Sequence, residues 1–153
     1  MTNNDVIRRL RFIFDFNDEK MMKIFKSVDY EVSRELLSKW LKKEEHPDYE
    51  DIHDDELAMF LNGLIIKNRG RREGPLPVPE TRLSNNAILM KLKIALNLQS
   101  EDILEVFGLT SFKMSKAELG AIFRKPDHKH YRVCKDQMLR NFLKGLQLKN
   151  RPQ

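Results

Sequence analysis

Along the first seventy residues the apolar positions recur at helical spacing. Val6, Ile7, Leu10, Ile13 and Phe14 fall at i, i+1, i+4, i+7 and i+8, one face of a 3.6-residue helix. Asn3 or Asn4 stands where an N-cap is expected. A second stripe, Met21, Met22, Ile24 and Phe25, opens near Asn17, with Asp18 and Glu19 in the first turn where carboxylates suit the helix dipole. Ser33 is placed to cap a third helix whose inner face is Leu37, Trp40 and Leu41. Leu57, Phe60, Leu61 and Leu64 mark a fourth, from about Asp54 to Lys67. No alternating strand pattern of useful length interrupts this series, so the chain is predicted to be all-α.

The pattern then repeats. "NNDVIRRLRFIF" at residues 3–14 answers to "NNAILMKLKIAL" at 85–96, and "FLNGLIIKNR" at 60–69 to "FLKGLQLKNR" at 142–151, both at an offset of 82. Carried without a gap from Asn3 to Arg69, that offset gives nineteen identities in sixty-seven positions, where unrelated chains give roughly four. The chain is a tandem duplication. Ile88, Leu89, Leu92, Ala95 and Leu96 repeat the first stripe; Ile103, Leu104, Val106 and Phe107 follow Ser100 as the second; Ser115, with Glu118, caps the third, which buries Leu119, Ile122 and Phe123; the fourth runs from Asp136 to Lys149. Gly63 and Gly145 each cost their fourth helix about 1 kcal/mol relative to alanine. A cost kept in both copies points to a close helix approach that a Cβ would obstruct. Between the copies lie Gly70, Gly74, Pro75, Pro77 and Pro79, a linker that proline stiffens toward an extended form. The expected organisation is a first repeat over 1–70, a linker over 71–84 and a second repeat over 85–153. Because about seventy residues make a marginal core alone, the two four-helix units are expected to pack with approximate two-fold pseudo-symmetry, their fourth helices near the contact.

The doubled "NN…L" opening, the "FLNGL" and "FLKGL" segments and the stretch "RKPDHKHYRVCKDQ" resemble the YehS-like family, bacterial proteins made of two copies of a domain of unknown function. The resemblance spans nearly the whole chain. It implies a bacterial, cytoplasmic, helical protein and carries no catalytic residue with it.

Charge sharpens the picture. Residues 1–75 hold 14 Lys or Arg against 16 Asp or Glu, and residues 76–153 hold 14 against 7, so a net −2 half precedes a net +7 half. Such asymmetry speaks to partners more than to fold. A single cysteine, Cys134, excludes an internal disulfide. The longest apolar runs fall short of a membrane span, and "MTNNDVIRRL" lacks the layout of a signal peptide, so a cytoplasmic chain without membrane contact is expected.

The chemistry-bearing residues gather between the third and fourth helices, as "KKEEHPDYEDIHDDE" in one copy and "RKPDHKHYRVCKDQM" in the other. His46/His128 and Tyr49/Tyr131 are kept while the charges around them reverse: Asp48 becomes His130 and Glu50 becomes Arg132. Residues kept through a sign change are read as structural, the histidine bonding the loop backbone and the tyrosine packing on the bundle. His128, His130 and Cys134 have metal-ligand chemistry, but a lone H-x-H without a C-x-x-C partner does not close a shell, so no metal is expected. Arg124, Lys125, Lys129, Arg132 and Lys135, interleaved with His128, His130 and Tyr131, form the candidate binding surface. It suits an acidic protein partner or self-association, through electrostatic complementarity with the acidic copy. The alternative is nucleic acid or another polyanion, with phosphates on the cations and an unpaired base on Tyr131. A helix-turn-helix over 100–125, with Lys116, Arg124 and Lys125 toward a DNA backbone, is weakened by a connection of about seven residues where that motif uses three or four. Phosphate-loop, nucleophile-elbow and H-E-x-x-H motifs are absent from the sequence. A non-enzymatic binding protein is expected, with no catalytic residue, cofactor or small-molecule substrate.

Overall fold

The computed structural model describes residues 1–151. Among them are eight α-helices and no strand: α1 (Asn3–Phe14), α2 (Asp18–Lys26), α3 (Arg34–Trp40), α4 (Asp54–Arg69), α5 (Asn85–Ala95), α6 (Ser100–Gly108), α7 (Lys116–Ile122) and α8 (Asp136–Asn150). They divide into two compact units of four helices, the first Met1–Leu83, the second beginning at Ser84.

Within each unit the second helix is the hub. α2 packs on α3 and α4, and α6 on α7 and α8; α1 and α5 close onto α4 and α8. The reason is one large aromatic. Phe25 is fully buried against Phe60 at 5.3 Å and Trp40 at 5.5 Å between ring centroids, with Tyr30 at 6.0 Å. Its counterpart Phe107 meets Phe142 at 5.5 Å and Phe112 at 5.3 Å. Tilted aromatic pairs at these separations add about 0.5–1.5 kcal/mol each beyond the area they bury. The predicted stripes otherwise line both cores, with Phe14, Met22, Leu41, Leu96, Leu104 and Phe123 only half-buried.

The repeated glycine has the role its cost implies. A Cβ on Gly63 would lie 2.2 Å from the Ile24 carbonyl oxygen, and one on Gly145 2.3 Å from that of Val106, the position equivalent to Ile24. The glycine lets α4 rest on the α2 backbone, and α8 on the α6 backbone.

Helix caps follow the sequence at Asn17, Ser33 and Ser115, whose side chains accept the N–H of Lys20, Leu36 and Glu118. They differ at two places. α1 is capped by Thr2, in a reciprocal box with Asp5, and α5 by Ser84, which accepts the Ala87 N–H; Asn3 and Asn4, expected as caps, lie inside the first turn. α6 begins at Ser100, as expected, with Gln99 at the N-cap and its N–H on Asp102 at 2.7 Å. At α1 and α5 a hydroxyl one position earlier satisfies a free amide, which releases the asparagines for other work. Beyond α4, residues 70–83 carry no helix, and the Leu83 N–H donates to Asp54 Oδ2 at 2.8 Å.

Candidate functional site

The connections α3–α4 and α7–α8 are held by asparagines from the first helix of their own unit. Asn4, 1% exposed, donates through Nδ2 to the Trp40 and Glu50 carbonyls, both at 2.9 Å, and accepts the Ile52 N–H on Oδ1 at 3.1 Å. Asn86 does the same with Ile122 at 3.0 Å, Arg132 at 2.8 Å and the Cys134 N–H at 2.8 Å. Asn3 and Asn85 pin the following residues: each Nδ2 donates to a backbone carbonyl (Ile52 or Cys134) and to the first carboxylate of the fourth helix, Asp54 at 2.7 Å or Asp136 at 2.8 Å. Every partner is matched at the offset of 82. One Asn-Asn pair thus ties the end of the third helix, the connection and the start of the fourth helix to the first.

Inside this clamp lies a tight turn built on the repeated histidine. His46 Nδ1 accepts the Asp48 N–H and His128 Nδ1 the His130 N–H, both at 3.0 Å. The same histidines accept on their carbonyls the N–H of Tyr49 at 3.0 Å and Tyr131 at 2.9 Å. The histidine is therefore a backbone anchor, as its retention through the sign change implied. His128→Ala is expected to speed exchange of the His130 amide by about fivefold, one hydrogen bond of roughly 1 kcal/mol. His128→Asn should leave it near the wild-type rate, since an asparagine side chain also accepts from two residues on. Amide hydrogen exchange followed by NMR checks both; equal rates in all three proteins would show that the imidazole is not the anchor. Tyr49 is half-buried, and burial, with the hydrogen bond its hydroxyl donates to Asp51 at 2.7 Å, pushes its pKa up to about 12. Tyr131 is half-buried too, but Val133 replaces that acceptor and stands 60% exposed.

The eight candidate residues divide into two groups. Arg124, Lys125, His128, Lys129, His130, Arg132 and Lys135 are exposed and Tyr131 is not. Arg132 is engaged: its guanidinium donates to Glu118 Oε2 at 2.7 Å, which holds the Glu118 carboxyl below its usual range. Lys116 is likewise paired, with Glu101 at 2.8 Å. The α6–α7 connection spans the seven residues 109–115, too long for a helix-turn-helix. The side chains of Arg124, Lys125, Lys129 and Lys135 make no hydrogen bond or ion pair with any described residue.

Metal ligation does not assemble on the histidines. Their rings stand 5.7 Å apart on the surface, whereas Cys134 is 1% exposed, at the position of core Ile52, and burial pushes its thiol up to about 11. At neutral pH that thiol is protonated and behaves as a small apolar side chain. Among the described residues one three-ligand group arises elsewhere: His53, Asp55 and Glu56, whose donor atoms lie within 4.8 Å of one another. Glu56 is already occupied, accepting from Tyr30 Oη at 2.6 Å and from the His53 N–H at 3.0 Å, and the first of these bonds pushes Tyr30 up to about 12. In the second unit the corresponding positions, Lys135, Gln137 and Met138, cannot form such a group.

With this geometry in hand, comparison with known proteins is direct. The model of a family described as "Protein of unknown function (DUF1456)" matches the chain twice, over residues 3–70 and 85–151. The "Uncharacterized protein YehS" of Escherichia coli (strain K12) is 40% identical over 147 residues, 95% of this chain and 94% of that protein. No solved structure matches. No helix among the described residues is long and apolar enough to cross a membrane.

Proposed function

This chain belongs to the DUF1456 family and carries its repeat twice; from that premise we propose that it is a non-enzymatic protein-association module, whose second repeat presents a cationic turn to an acidic protein partner. One observation carries the reading: the two connections share the same asparagine clamp and histidine turn, while their exposed charges are opposite. Residues 42–56 hold eight carboxylates against two lysines; the equivalent 124–138 hold five cations against two aspartates. Exposed charges contribute little to folding stability, whereas charges on a fixed backbone steer and select partners.

Two further features favour an acidic protein surface over nucleic acid. Arg132 and Lys116 are already neutralised by Glu118 and Glu101, which subtracts two cations from any phosphate track. Val133, exposed among the remaining cations, suits an aliphatic contact better than a sugar–phosphate one. The test is fluorescence anisotropy with a labelled polyglutamate peptide and with labelled single-stranded and duplex DNA, each at about 50 and 200 mM salt. Peptide binding is expected, lost when Lys125 and Lys129 become Glu. Tighter DNA binding that falls about a hundredfold between the two salts would replace this reading with the nucleic-acid one. No binding to either probe would overturn both.

A further inference from the structure

The free carboxylates of the first connection are Glu44, Glu45, Asp48 and Glu50; like the four free cations of the second, their side chains have no ion pair or hydrogen bond with any described residue. Each set is thus exposed and uncompensated within one chain, although the chain carries its complement. Building on the association reading above, we infer that the acidic partner is a second copy of this chain, the cationic turn of one molecule docking on the acidic turn of another.

The shared backbone makes the match specific. Two identical turns meeting face to face set like charges against one another, which repels. With Glu44, Glu45, Asp48 and Glu50 on one turn and Arg124, Lys125, Lys129 and Lys135 on the other, and the turn hydrogen bonds otherwise the same, the same meeting sets opposite charges together. The clamp matters because it fixes the backbone that carries those charges: Asn4 and Asn86 hold the carbonyls of the equivalent residues Glu50 and Arg132 at 2.9 and 2.8 Å, so the two turns leave the bundle from equivalent points. The contact joins unlike surfaces and is therefore heterologous: it closes reciprocally between two copies or extends along a chain of them.

Sedimentation velocity of the full chain tests this. At about 50 mM salt, where the screening length exceeds 10 Å, wild type should sediment as a species larger than the 18.2 kDa monomer. It should return to monomer at about 0.5 M. Two full-length variants give the decisive arm. One carries Glu44→Lys, Glu45→Lys and Glu50→Lys; the other carries Arg124→Glu, Lys125→Glu and Lys129→Glu. Each alone should be monomeric at low salt, because its two turns then no longer bear opposite net charge. Mixed in equal amounts they should associate, since one keeps the cationic turn and the other supplies net acidic ones. A mixture that stays monomeric overturns the inference. If either triple variant loses its helical circular dichroism, the single reversals Glu45→Lys and Lys129→Glu take its place, each expected to weaken wild-type association at least threefold, and unchanged association overturns the inference. Monomeric wild type that still binds the polyglutamate peptide would sink self-association and leave the association reading standing; monomeric wild type that binds no acidic probe would sink both.

Discussion

Asn86→Ala should destabilise the second repeat by about 3–5 kcal/mol, near the upper end of what one substitution does. The estimate follows from the groups left behind. Alanine removes two donors and one acceptor at a site 7% exposed, stranding the Ile122 and Arg132 carbonyls and the Cys134 N–H. An unsatisfied buried backbone group costs about 1–3 kcal/mol, and a side-chain-sized void adds to that. Asn4→Ala should cost the first repeat a similar amount through Trp40, Glu50 and Ile52. Asn86→Asp separates hydrogen bonding from volume. It keeps the acceptor for the Cys134 N–H but turns a carboxylate oxygen toward two carbonyls, so it should be at least as damaging as alanine. Asn141→Ala, at a half-buried position whose one side-chain bond, to Gln137, is long at 3.4 Å, should stay within about 0.5 kcal/mol. Urea unfolding followed by circular dichroism reads all four. A cost below about 1 kcal/mol for Asn86→Ala would mean that water replaces the three bonds, and the clamp would lose its claim to fix the connection.

The asparagines also show where sequence reasoning stops. Helix periodicity and the offset of 82 are properties of residue order, so the eight helices and two units could be read directly. Cap identity could be read where one residue type dominates, as at Ser33 and Ser115. At Asn3-Asn4 it could not, because asparagine serves equally as a cap and as a buried backbone partner, and Thr2 and Ser84 decided the matter from one position earlier. A signal was present: both asparagines are kept in the second copy although Asp5, the reciprocal member of the first cap, becomes Ala87. The histidine anchor was legible for the same reason, retention through a reversal of charge. Cys134 invites a reading by its metal-ligand chemistry, which misses its place in the core; the signal was its match to apolar Ile52 at the same offset. The ion pairs were not, because Arg132 and Glu118 lie fourteen residues apart and meet only once α7 is formed.

Gly145→Ala should cost about 2 kcal/mol or more, against the helix propensity that favours the same change by about 1 kcal/mol. The new Cβ would stand 2.3 Å from the Val106 carbonyl oxygen and 2.7 Å from its Cγ1. The methyl can rotate away. The oxygen cannot, since it belongs to the α6 backbone, where it accepts the Leu109 N–H at 3.2 Å. The helices must therefore separate, and separation loosens the Phe107–Phe142 contact at the centre of the unit. Gly63→Ala should act alike in the first repeat, where the Ile24 oxygen lies 2.2 Å away. Gly120→Ala is the counter-case: the site on α7 is exposed and a Cβ there meets nothing within 4 Å, so propensity alone acts and stability should rise by up to about 1 kcal/mol. One chemical change thus has opposite signs at two helical glycines of the same unit. Adding Val106→Ala to Gly145→Ala distinguishes the cause, because it removes Cγ1 but not the oxygen. No rescue is expected. Recovery in the double variant, or a Gly145→Ala protein as stable as wild type in thermal melts, would show that α6 and α8 tolerate a wider spacing than their backbone contact requires.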